Sequence, residues 1–75
     1  MANKFRLNKK NSAVIIDEST ESEPQTAAFD ILRMPYALKG IMVRREEMQL
    51  KPINETTFQV FFAGDEYVLS KIAEQ

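Results

Sequence analysis

Thr57-Phe58-Gln59-Val60-Phe61-Phe62-Ala63-Gly64-Asp65-Glu66-Tyr67-Val68-Leu69-Ser70-Lys71-Ile72-Ala73 decides the fold of this 75-residue chain, because its two halves invite different periods. In the first half Phe58, Val60 and Phe62 share one face of an extended segment, and Phe61 makes the other face partly apolar. Residues 57–62 are therefore the strongest strand signal in the chain, suited to the centre of a sheet or to covering a partner. Ala63-Gly64-Asp65 interrupts the pattern. Beyond it, Val68, Leu69, Ile72 and Ala73 recur at helical spacing behind Asp65, a residue able to cap a helix, which predicts a helix over 65–73. Tyr67-Val68-Leu69-Ser70 is also dense in aromatic and β-branched residues, so a final strand is the competing expectation.

Working outward, Gly40-Ile41-Met42-Val43-Arg44 predicts a strand and Met48-Gln49-Leu50-Lys51-Pro52 another, joined by Arg45-Glu46-Glu47. Lys4-Phe5-Arg6-Leu7-Asn8 alternates polar and apolar side chains. Lys9-Lys10-Asn11-Ser12 supplies turn chemistry, and Ala13-Val14-Ile15-Ile16 suits a strand buried on both sides; residues 4–17 thus predict a hairpin. Asp17-Glu18-Ser19-Thr20-Glu21-Ser22-Glu23-Pro24 has no large apolar residue and is expected to be an exposed acidic loop over 17–24. Ala27, Ala28, Ile31 and Leu32 then mark a short helix over 25–33 that Pro35 should end, with Gly40 turning the chain. The expected fold is one β-rich α+β domain over 1–75. It carries two hairpin-like strand pairs, about 4–17 and 40–62, and one or two short helices, about 25–33 and 65–73. A small all-β barrel is the alternative.

Composition narrows the chemistry. The chain has no cysteine, which excludes a disulfide framework and a thiolate nucleophile. It also has no histidine, which removes the commonest general base and metal ligand. Ser12, Ser19, Ser22 and Ser70 would need a lysine as base. Glu46 and Glu47 are neighbours that would point to opposite faces of a strand. Asp17, Glu18, Glu21 and Glu23 lack the ordered spacing and turn glycine of a calcium loop, and Gly40 and Gly64 are isolated rather than part of a phosphate-cradling motif. The expectation is a non-enzyme with no cofactor, no metal and no evident small-molecule substrate. No apolar run approaches the roughly 20 residues of a membrane helix and no secretory leader pattern is present, so the expected location is the cytoplasm.

Charge is blocked along the chain: Lys4, Arg6, Lys9 and Lys10 precede Asp17, Glu18, Glu21 and Glu23, and Arg44 and Arg45 lie farther on. The basic N-terminal hairpin, with Phe5 among its cations, makes nucleic-acid binding through Lys4, Phe5, Arg6, Lys9 and Lys10 one expectation. The net charge of −1 weighs against it. Protein–protein interaction is the preferred expectation. A domain this small builds only a thin core, yet the chain holds five Phe, two Tyr and four Met, some of which a partner or a second copy would cover. Tyr36, Arg44, Arg45 and Phe61 are the contacts that follow. The composition is of the kind frequent among bacterial and bacteriophage accessory proteins, which suggests a regulator. A structural subunit of a larger assembly is the third possibility.

Overall fold

The computed structural model describes residues 2–74. Five antiparallel strands form one sheet: β1 (Asn3–Lys9), β2 (Ile15–Glu21), β3 (Gln49–Pro52), β4 (Thr57–Phe62) and β5 (Asp65–Glu74). Their order is β2-β1-β5-β4-β3. One helix, α1 (Pro24–Leu38), connects β2 to the second half of the chain, and a single 3-10 turn spans Arg45–Glu47. The sheet is open, with β2 and β3 at its edges, and is not closed into a barrel. The α+β expectation is met.

The segment expected to be a helix over 65–73 is instead the central strand. Ala63 (φ 54) and Gly64 (φ 80) both have positive φ, the requirement of a two-residue hairpin turn matching the strands' twist. Phe62 consequently pairs with Asp65 and Thr57 with Ser70. On its other side β5 pairs with β1, from Asn3 opposite Glu74 to Lys9 opposite Tyr67. Strand period puts Tyr67 and Leu69 into the core, whereas a helix would have used Val68, Leu69, Ile72 and Ala73. Two ladders of hydrogen bonds outweigh a helical stripe of four residues.

Four further expectations change. Residues 41–44 join no strand although the outer edge of Gln49–Pro52 is free: Arg45–Glu47 winds into a 3-10 turn rather than a hairpin turn, and of this apolar run only Val43 is buried. The acidic stretch 17–24 is strand β2 as far as Glu21 and enters α1 at Pro24, leaving only Ser22 and Glu23 as connection. Ala13 and Val14 lie outside β2 and are exposed rather than buried, because β2 is an edge strand. Finally, α1 begins one residue before the expected 25 and continues through Pro35 to Leu38.

Pro35 withholds an N–H from the Ile31 carbonyl, a defect that ordinarily costs about 3 kcal/mol. The last turn survives because both its sides are anchored. Tyr36 is buried with its ring edge-on to Phe62 at 4.8 Å. Beyond the helix, Gly40 (φ 79) donates to the Ala37 carbonyl at 3.0 Å and Ile41 donates to the Tyr36 carbonyl at 2.9 Å. This is the Schellman closure, and it needs a left-handed residue at Gly40.

Helix α1 covers one face of the sheet. Ala27, Ala28, Ile31, Leu32 and Tyr36 pack on Phe5, Leu7, Val60, Phe62, Tyr67 and Leu69, while Val43 and Met48 close the core from the connection after the helix. The opposite face has no layer over it among the described residues and carries Lys4, Arg6, Gln59, Phe61 and Glu66. A bulge at Ile16, which has no partner between the Leu7–Asp17 and Asn8–Ile15 pairs, brings that side chain against the core.

Candidate functional site

A cleft of about 290 Å³ opens where the end of α1 meets the β1–β2 turn and the start of β5. Leu32, Pro35, Tyr36 and Lys39 line it at helical spacing, so the last turn beyond Pro35 is one wall. Lys9, Ser12, Val14 and the bulged Ile16 supply a second, and Asp65 and Tyr67 a third. The Lys9–Ser12 turn, in which Ser12 N–H donates to the Lys9 carbonyl at 3.1 Å, uses Asn11 at φ 62, a conformation asparagine tolerates well.

The Tyr36 and Tyr67 hydroxyls meet across the cleft's wall at 2.7 Å. The two residues are only 8% and 5% exposed. Burial, then the hydrogen bond to Tyr36, pushes the Tyr67 phenol above its ordinary value of 10, so it stays protonated at neutral pH. One hydroxyl donates to the other and the acceptor keeps its own proton, so the pair has one O–H to offer outward. Lys9 Nζ lies 3.8 Å from Asp65, and Lys39 Nζ sits 5.5 Å from the centre of the Tyr36 ring. Ser12 Oγ accepts the Val14 N–H at 3.1 Å. An apolar lining, a hydroxyl donor and two lysines against one carboxylate can recognise a polar acceptor on an apolar body.

The residues expected to meet a partner are scattered. Tyr36 faces inward. Phe61 lies on the opposite face of the sheet, half-buried, with Lys51 Nζ 5.8 Å from its ring centre. Arg45 stacks over Phe29 at 5.3 Å and donates to Thr26 Oγ1 at 3.3 Å, while Arg44 is exposed and 3.9 Å from Glu47. Of these only Arg44 and Arg45 are adjacent.

The basic hairpin is likewise engaged within the fold. Phe5 is 1% exposed and is core, which removes it as a stacking platform for a base. Lys4 and Arg6 both reach Glu18, at 3.2 and 2.8 Å, across the β1–β2 ladder. Hydrogen bonds from Arg6 and then Lys4 hold the Glu18 carboxyl below the usual carboxylate range. Lys10 Nζ pairs with Glu66 at 3.1 Å. A second electrostatic cluster joins β2 to α1, where a hydrogen bond between the Glu21 and Asp30 carboxyls, reinforced by burial, raises the Glu21 carboxyl.

Lys39, Asp65 and Tyr67 were not singled out by the sequence. The tyrosines are 31 positions apart and only the β5 register brings them together. No protein-family model, curated protein or solved structure matches the chain. Among the described residues, no group of three or more potential metal ligands is clustered, and no helix is long and apolar enough to cross a membrane.

Proposed function

We propose that this protein is a non-enzymatic interaction module that acts by occupying a surface on another protein. The observation that carries this reading is the run from the end of α1 into the following connection. There Met34, Leu38, Ile41 and Met42 are all exposed, Leu38 at 83% and Met42 at 76%. Four large apolar side chains within nine residues, on a helix end anchored by Tyr36 and Gly40, form a preorganised apolar rim beside the cleft. Covering one such side chain is worth about 1.5–3 kcal/mol, and methionine adapts to irregular partner surfaces.

Pairing through a sheet edge is less favourable. Edge strand β2 carries Asp17, Glu18 and Glu21, so a second copy laid against it would bring like charges together. Edge strand β3 has four residues and ends in Pro52. The effect of binding would be steric or scaffolding, as for an accessory regulator in a bacterial or bacteriophage cytoplasm.

The test is an affinity capture from host lysate with nuclease present, comparing the native chain with Leu38→Glu/Met42→Glu. These side chains are exposed, so the doubly substituted chain should keep its circular dichroism spectrum. A partner retained near stoichiometry by the native chain and lost by the variant supports the reading. Loss of every partner on nuclease treatment would transfer the function to nucleic acid, and equal capture by both chains would remove the rim.

A further inference from the structure

We propose that the cleft between α1, the β1–β2 turn and β5 binds a small carboxylic acid with a compact apolar body, independently of any protein held at the rim. Val14, Ile16, Leu32 and Pro35 give the cavity an apolar lining, and its 290 Å³ is at the lower edge of the range for small-molecule sites. A cleft of that size suits a branched-chain or phenyl-substituted acid.

Charge selects the head group. Lys9 is answered by Asp65, whereas Lys39 has no carboxylate within ion-pair distance among the described residues. The cleft therefore carries one uncompensated positive charge, and Asp65 repels an anion from the Lys9 side toward Lys39. The Tyr36–Tyr67 pair contributes its one outward proton. One ammonium and one hydroxyl donor match the two oxygens and single charge of a carboxylate; a phosphate dianion would leave charge and acceptors unanswered.

The experiment is an NMR titration of the full chain with phenylacetate and 4-methylpentanoate, each paired with its neutral amide. The expected result is saturable shifts at Ile16, Lys39 and Tyr67, with each acid binding about tenfold more tightly than its amide. Lys39→Gln should abolish that preference while leaving the amide affinity unchanged. The proposal is overturned by equal affinity for acid and amide, by a preference that survives in Lys39→Gln, or by no saturable shift at the cleft up to about 10 mM. Because the rim residues Leu38 and Met42 do not line the cavity, the uncharged substitutions Leu38→Gln/Met42→Gln should titrate like the native chain. A failed capture experiment and a failed titration are therefore separate results.

Discussion

Removing one hydroxyl from the Tyr36–Tyr67 pair tests whether that contact is a coupled unit. Tyr67→Phe deletes a buried 2.7 Å hydrogen bond without changing ring packing. A neutral hydrogen bond contributes about 0.5–1.5 kcal/mol net, and the stranded partner adds up to about 1–3 kcal/mol if water cannot reach it. Here the partner borders the cleft, so rehydration limits the loss to about 1–2 kcal/mol. Tyr36→Phe should cost the same. The double variant leaves no unpaired group and should cost no more than either single change, a coupling of about 1 kcal/mol. Urea unfolding followed by circular dichroism measures all four chains, and for a domain this size about 1 kcal/mol corresponds to 4–8 °C in Tm. Additive losses in the double variant would refute the pairing. The raised Tyr67 phenol gives a second readout. The folded state holds the Tyr67 proton more tightly than the unfolded chain, so the native protein should lose stability as pH rises above about 10, and Tyr67→Phe should flatten that loss.

Gly40→Ala should destabilise by about 1 kcal/mol in urea unfolding, since the added Cβ meets no neighbour and the penalty is purely that of a left-handed alanine in the Schellman closure. Ala63→Gly should do the reverse, by about 0.5–1 kcal/mol, because alanine already holds a left-handed φ there. Leu69→Ala should cost about 2–5 kcal/mol and Phe61→Ala about 1 kcal/mol or less; comparable losses would contradict the assigned faces of β4 and β5. Acid unfolding should separate the two carboxyl clusters. Glu18, held low, contributes stability above its unfolded pKa of about 4.5 that is lost as pH falls, so Glu18→Gln should weaken the protein at pH 7 and matter least in acid. Glu21, held high, opposes folding once pH exceeds its raised value, so Glu21→Gln should stabilise at pH 7 and be neutral below about pH 4.

How far the sequence reached depends on which patterns were unique. Strand β4, the turn at Lys9-Lys10-Asn11-Ser12 and the apolar face Ala27-Ala28-Ile31-Leu32 each satisfy one period only, and each is where the pattern put it. Residues 65–73 satisfy two. The hairpin turn before them is Ala63-Gly64 rather than Asn-Gly or Asp-Gly, so its usual local mark is missing. Ile41-Met42-Val43 has strand propensity, but the Arg45–Glu47 step expected to turn it back onto Gln49–Pro52 is a 3-10 turn, and only Val43 of the three packs into the core. Tyr36 and Lys9 were singled out by residue type and do lie in the cleft. Their partners Tyr67 and Asp65 come from the strand read as a helix, which is why the cavity was invisible before the sheet order was known.

The middle of the sheet is the described strand farthest along the chain. Only Ala63 and Gly64 separate β5 from β4, whereas β1 lies at the far end of the described residues, so the β4–β5 hairpin closes locally and the β1–β5 ladder is the long-range step. Until Asp65–Glu74 docks on β1, that strand keeps an unpaired edge and an uncovered apolar face. The folding chain therefore passes through an interval in which the free edge of β1 is open to any extended segment nearby, including the β5 segment of a neighbouring copy.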